Sequence, residues 1–314
     1  MKGWQLALGY LLFPGFLFTA VAGLVLSWVD RFVSARVQWR KGPPFYQPFA
    51  DMLKLLLKQT VVPAGAAPTV FLLAPLLGIA AACIIIVMLY NASLYPQGSF
   101  IGDLIVVIYF LALPPLATIV GASASRNPVA AVGASREMTL YFGYELPFLL
   151  ALLVPVVKVA TAPNMTVANA VRLGELVRFQ EVHGPFLYSV SGVIAAVIVL
   201  LVIQAKLGLV PFDIAEAEQE IMSGVLVEYS GAPLALFRLT RAMMMVVLPA
   251  FLITVLWGGL GDWWALLKFL VIIVLIVLMK NTNPRLRIDQ ALTFFWFGMG
   301  ALGIIAVILA FVGL

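Results

Sequence analysis

The feature that most constrains this chain is a succession of apolar runs, each close to the length a helix needs to cross a hydrocarbon layer about 30 Å thick. They cover about Leu6 to Val29, Thr69 to Tyr90, Ile101 to Gly121, Met138 to Val157, Phe186 to Ile203, Leu234 to Trp257, Trp263 to Met279 and Ala291 to Val312. Too few polar residues remain to coat a water-soluble body: 63% of the chain is hydrophobic, 11% is charged, and the mean hydropathy is +1.09. Amides in lipid have no water to bond, so the runs must be helices. The expectation is an all-α integral membrane protein of about eight transmembrane helices, forming a single transmembrane domain over residues 1–314. Ala20-Val-Ala22 imitates a leader-cleavage site, but apolar sequence continues past it into a basic loop, which makes this a retained first span.

The net charge of +5 does not indicate nucleic acid, because the basic residues are spread over short connections beside apolar spans, the pattern of anchoring to an anionic leaflet. Connections after spans one, three, five and seven hold Arg31, Arg36, Arg40, Lys41, Lys54, Lys58, Arg126, Arg136, Lys206, Lys280, Arg285 and Arg287, twelve against four (Lys2, Lys158, Arg172, Arg178) on the other side. That asymmetry places the first set in the cytoplasm and both termini outside a multi-pass protein of the cell membrane. One cysteine, Cys83, inside an apolar run, cannot form an intrachain disulfide or ligate a cluster, and it reads as packing. One histidine, His183, in an expected loop, excludes a bis-histidine haem held by this chain alone. Any redox cofactor must therefore be carried elsewhere. Gly298-Met-Gly-Ala-Leu-Gly303 matches a dinucleotide fingerprint, yet it lies within an apolar span with no preceding strand and reads as helix packing.

Function must reside in the long connections, about 30 to 68, 158 to 185 and 204 to 233. In the first, Ala35-Arg-Val-Gln-Trp-Arg-Lys-Gly-Pro-Pro44 is a basic segment ending in a turn, followed by Gln47-Pro-Phe-Ala-Asp-Met-Leu-Lys-Leu-Leu-Leu57. Asp51, Lys54 and Lys58 fall on one side of a helix and Leu53, Leu56 and Leu57 on the other, so an amphipathic helix is expected along the cytoplasmic membrane surface.

In the third, Asp213, Glu216, Glu218, Glu220 and Glu228, five of the fourteen acids, lie within sixteen residues. As a helix begun by Pro211, Asp213, Glu216 and Glu220 share a face and Glu218 points away. On water such a run is a solvated face; among apolar segments mutual repulsion and low dielectric make its protons exchangeable. Another acid, Glu145, sits about seven residues inside a span, on the order of 10 Å deep, where an ionised carboxylate is costly. Pro147, two residues on, cannot donate to the Gly143 carbonyl, which gathers backbone polarity beside this acid. Glu137 beside Arg136 reads as an ordinary end-of-helix pair, and Arg238 and Arg241, one turn apart, read either as counter-charges to the acidic run or as anchors.

The order of residues in three stretches, the GPP segment with Gln47 to Lys58, Gly133-Ala-Ser-Arg-Glu-Met-Thr-Leu-Tyr-Phe-Gly-Tyr-Glu-Leu-Pro147, and Pro211-Phe-Asp-Ile-Ala-Glu-Ala-Glu-Gln-Glu220 onward, resembles the family that contains the H subunit of respiratory complex I and the membrane anchor of energy-converting hydrogenases. The resemblance implies a non-catalytic membrane subunit that anchors a soluble redox arm and helps link electron transfer to proton or sodium movement. It implies ion translocation through Glu145, Asp213, Glu216, Glu218, Glu220 and Glu228, and partner docking or charge pairing through Arg36, Arg40, Asp51, Lys54, Arg238 and Arg241. No cofactor is expected in this chain; iron–sulfur clusters, and a nickel–iron centre in the hydrogenase-type branch, belong to partners. Those partners are small and large hydrogenase-like soluble subunits, antiporter-like membrane subunits and the bilayer. Residues 35 to 51 and 234 to 245 look more like the hydrogenase branch, since Thr240-Arg-Ala242 stands where the quinone branch carries an acidic motif. The alternatives are a quinone-binding complex I subunit, with Tyr46 as proton donor and Arg36 or Arg40 as its guides, a stand-alone ion transporter, and an antiporter-like subunit.

Overall fold

The computed structural model describes residues 8–163 and 165–314, apart from the side chains of Glu218 and Gln219. Seven helices are long and apolar enough to span a membrane, and an eighth, Val190–Lys206, is shorter at 17 residues. In chain order the main helices are α1 (Phe16–Val37), α2 (Gln47–Leu57), α3 (Pro68–Leu94), α4 (Asp103–Ala124), α5 (Pro128–Ala160), α6 (Leu173–His183), α7 (Val190–Lys206), α8 (Gly231–Leu256), α9 (Ala265–Thr282) and α10 (Ile288–Val312). Their starts follow local chemistry. Proline opens α3 and α5, where its missing N–H costs nothing. Asn127 caps α5 by accepting from the Val129 amide at 2.8 Å, and Ser189 caps α7 by accepting from Gly192.

The bundle is organised around α8, in which every residue from Ala242 to Leu256 is buried. A helix apolar on all sides needs protein on all sides, and α1, α3, α7 and α9 supply it. The approach of α1 is close enough that a Cβ on Gly23 would lie 2.4 Å from the Ala242 carbonyl oxygen. By contrast α9 and α10 keep an apolar outer surface, which only lipid or another membrane subunit can cover. Gly303, in the fingerprint-like stretch, faces Leu150 of α5, and Cys83 packs against the main core, both as expected.

The amphipathic helix forms where it was expected. α2 packs on α1 and α8 and leaves Leu53, Leu56 and Leu57 exposed. Elsewhere three expectations fail. His183 is not in a loop: it ends α6, an amphipathic helix whose Leu173, Leu176, Val177 and Gln180 form the buried face. The charges Glu175, Arg178 and Glu181 on its other face hid that periodicity. The chain after Pro211 is not a helix bearing Asp213, Glu216 and Glu220 on one side; it turns through 207–217, and only the short stretches Glu218–Ile221 and, as a 3-10 turn, Gly224–Leu226 are helical. Phe212, Ile214, Ala215 and Ala217 are all buried, a spacing that no single helical face provides. Gly224 closes this segment at a positive φ of 48°, where a Cβ would stand 1.9 Å from the Ala215 carbonyl oxygen. Third, Lys206 is no loop cation but the last residue of α7, with a side chain 1% exposed.

Candidate functional site

A cavity of about 530 Å³ is enclosed by α1, α2, α8, the end of α7, the start of α5 and the acidic segment. Its apolar wall includes Leu24, Met52, Leu55, Phe212 and Met244, while five acids (Asp30, Asp51, Glu137, Asp213, Glu216) and five bases (Arg31, Lys206, Arg238, Arg241, Lys280) also line it. All of them but Glu137 and Arg238 form ion pairs among the described residues. Asp30 meets Lys280 at 2.6 Å and Arg31 meets Asp51 at 3.0 Å, so α1 is tied to α9 and to α2 beside the cavity. Asp213 meets Arg285 at 2.6 Å, Glu216 is held by Arg241, and Glu220 meets Arg136 at 2.5 Å. Thus the expected repulsive row does not exist. Each carboxylate is drawn toward a guanidinium from a different part of the bundle, which is how desolvated charge is tolerated.

The acidic segment is also pinned by packing. Phe212 rests 4.7 Å from Phe295 and 5.9 Å from Phe294, ring centre to ring centre, and these two residues open a π-helical turn, Phe294–Met299, in α10. The Leu286 amide donates to the Pro211 carbonyl at 3.0 Å beside the Arg285 pair. Burial pushes the Asp213 carboxyl above the ordinary aspartate range, Arg285 and Arg241 pull it down, and Glu216 pushes it up. An acid raised in the folded protein takes up its proton at a higher pH than a solvated one, and losing Arg285 moves that midpoint further upward. Infrared titration of the Asp213 carboxyl in the assembled complex is expected to show a midpoint above 3.8, moved to higher pH in Arg285→Gln. An unmoved midpoint would reject Arg285 as its controlling charge.

Deeper, α7 delivers Lys206 to Glu145 at 3.1 Å. The ammonium lies 4.8 Å from the ring centres of Tyr144 and Phe148 and 5.8 Å from that of Tyr141, a cage in which aromatic faces replace part of its hydration. Glu137, two turns before Glu145 on α5, lines the cavity with Lys206 and stands within electrostatic reach of Lys206, Arg241, Glu216 and Asp213. The Tyr144 side chain is 0% exposed, and its hydroxyl has no hydrogen-bond partner among the described residues. A chain of charged and polar groups therefore runs from the acidic segment through Glu137 to the Lys206–Glu145 pair.

Other residues expected at the site are placed as follows. Glu228 accepts from the Asn127 side-chain amide at the mouth of α5, outside the cavity, and the Glu218 side chain lies outside the described residues. Arg241 is the expected counter-charge, whereas Arg238 lines the cavity without an ion pair among the described residues. Arg136 pairs with Glu220 and not with its neighbour Glu137, because their positions on α5 point them to different surroundings. Arg36 lies over the Phe32 ring, Arg40 donates to Gln38, and Lys54 is exposed; all three remain on the outer surface. Neither Arg36, Arg40 nor Tyr46 lines the cavity, and Tyr46 is 65% exposed, so the donor set envisaged for a quinone is not at this cavity within the chain. Tyr229 does line it, but its hydroxyl donates to the Phe71 carbonyl at 3.1 Å. Sequence reasoning missed Lys206, Glu137, Asp30, Lys280 and Tyr144. For Lys206 a signal existed: a lysine ending a span four residues before Val210-Pro211 is as much a buried candidate as an anchor.

The sequence pattern of the NADH dehydrogenase family matches residues 10–311. The chain is 33% identical to the H subunit of NADH-quinone oxidoreductase from Thermomicrobium roseum, over 93% of this chain and 92% of that protein. It is 32% identical to the NADH-quinone oxidoreductase subunit numbered 8 in Thermus thermophilus, over 93% and 82% respectively. Its fold is similar to a chain in the structure of the membrane-bound sulfane sulfur reductase, an archaeal respiratory membrane complex, with a TM-score of 0.81, 26% identity, and coverage of 94% of this chain and 96% of that one.

Proposed function

The chain belongs to the NADH dehydrogenase family, and on that premise we propose that it is the membrane anchor and an ion-translocation subunit of a respiratory complex, coupling electron transfer in a soluble arm to proton or sodium movement. The carrying observation is the cavity that leads from the surface helix α2 past the acid–arginine pairs to Lys206 and Glu145. A charge change at its α2 end alters the field at each pair in turn, since ion pairs in low dielectric interact over longer distances than in water. Iron–sulfur clusters, and the metal site where electrons leave, are assigned to small and large hydrogenase-like partners docked over α2 and the acidic segment. Antiporter-like subunits are assigned to the outer apolar faces. The likeness to a sulfane sulfur reductase chain supports a quinone-free complex, as does Arg241, which holds Glu216 where the quinone branch has an acid. The names of the bacterial relatives support the second reading, quinone reduction, and the partly apolar cavity wall is compatible with it. Assaying the purified complex with a soluble electron donor separates the two. Turnover without quinone is expected; quinone-dependent turnover blocked by a tunnel inhibitor would overturn it while leaving the charge relay in place.

The orientation is part of the same reading, with the acidic segment and α2 cytoplasmic and both termini outside, motivated by the positive-charge asymmetry. Gln180 is 2% exposed and unsuitable for labelling, whereas Val182 and Met222 are 78% and 69% exposed. Single cysteines at Val182 and Met222, on a Cys83→Ala background, are expected to be modified by a membrane-impermeant reagent from opposite faces, Val182 from outside. Labelling of both from one side of sealed vesicles would sink the topology.

A further inference from the structure

A second cavity, of about 380 Å³, lies on the face opposite the acidic segment, where the end of α5, the end of α6, the start of α7 and the end of α10 converge. Nothing in the charge relay uses it. Its single cation is Lys158, in the last turn of α5, which has no ion pair among the described residues. One wall is a stack of three rings, with Phe179 parallel to Phe186 at 5.5 Å and to His183 at 4.2 Å. The His183 Nδ1 contacts the Phe179 carbonyl oxygen at 3.2 Å, which leaves Nε2 unengaged by that bond. Tyr188 stands at the rim, 78% exposed.

What continues from this cavity defines the ligand class. Immediately beyond lining residue Ser189, α7 exposes Val190, Val193 and Val197, and just before Gly313 its neighbour α10 exposes Ile304, Ile308 and Phe311. The α7 spacing follows one helical face, so an apolar stripe leads from the cavity toward the middle of the membrane, whereas the exposed residues of α10 lie on the side turned away from cavity-lining Ala310. A soluble anion would match Lys158 and leave the α7 stripe unused; a purely apolar molecule would fill the stripe and leave the ammonium without a partner. An amphiphile with an anionic head satisfies both, because lysine at the end of a span reaches headgroup depth along its own methylenes. We propose that this cavity is a phospholipid site, with the lipid phosphate on Lys158, the glycerol region against the Phe179–Phe186 wall and an acyl chain along the α7 stripe.

The test uses the full complex in native membranes with a benzophenone amino acid replacing Tyr188, irradiated and analysed by mass spectrometry. A phospholipid adduct at residue 188 is expected, reduced about fivefold in Lys158→Gln, the loss that corresponds to roughly 1 kcal/mol per basic residue at a membrane surface, and retained in Lys158→Arg. After detergent depletion, added phosphatidylglycerol restores the adduct and inorganic phosphate does not compete with it. Absence of a lipid adduct, an adduct indifferent to Lys158→Gln, or displacement by inorganic phosphate alone would overturn the proposal, the last by reassigning the site to a soluble anion.

Discussion

Lys206→Met is expected to cost about 3–5 kcal/mol, the penalty for breaking one partner out of a buried ion pair, because it leaves the Glu145 carboxylate without its cation. The loss should appear as a lowered melting temperature and reduced abundance of the solubilised complex. Lys206→Met with Glu145→Gln removes both charges and keeps both shapes. Buried pairs replaced by neutral groups of similar volume are commonly neutral or stabilising, so this double variant should recover stability. Recovery of stability without recovery of ion translocation identifies the pair as a working part of the relay. A double variant that assembles, passes electrons and pumps at the normal rate would reduce Lys206–Glu145 to a structural pair and remove the central support for the proposed function. Glu145→Gln alone leaves Lys206 in its aromatic cage, a smaller perturbation, since aromatic faces retain part of the attraction for the ammonium.

How much of this was legible in the sequence depends on the range of the interaction responsible. Spans are set by local hydropathy, and seven long apolar helices with Val190–Lys206 as an eighth appear close to the runs that predict them. The α2 helix was equally readable, because its Leu53, Leu56 and Leu57 stripe is a property of eleven consecutive residues. α6 was not, since four buried residues at helical spacing are diluted by three charges and a histidine. The acidic segment failed for a different reason. Its residues have the composition of a helix, but its conformation is decided by Arg285, Arg241 and Arg136, each from a different region and as many as 84 residues away in the chain. Asp30 and Lys280, 250 residues apart, are the extreme case; nothing local links them. The acids could be named from sequence, whereas their pairing with bases could not, and the pairing is what turns a repelling row into a sequence of neutralised steps.

The last step of that sequence makes an opposite prediction for structure and for function at Tyr144. Its ring fills the core between Lys206, Tyr141 and Phe295, and only the hydroxyl distinguishes it from phenylalanine. A buried hydroxyl without a partner costs on the order of 1–3 kcal/mol, so if Tyr144 is only packing, Tyr144→Phe should stabilise the complex by about that amount and leave pumping untouched. If the hydroxyl carries the relay between Glu137 and the Lys206–Glu145 pair, both within its electrostatic reach, the same substitution removes a group that can accept and donate at once. Ion translocation is then expected to fall about tenfold, equivalent to roughly 1.4 kcal/mol on the limiting barrier, while electron transfer in the uncoupled complex is unchanged. The discriminating measurement is the ratio of ions moved to electrons passed, taken alongside the melting temperature. A higher melting temperature with an unchanged ratio assigns Tyr144 to packing and leaves the relay to run from Glu137 to Lys206 directly. A reduced ratio, whatever the melting temperature does, assigns the hydroxyl to the path, because a group whose removal relieves a buried polar cost has no structural reason to impair coupling.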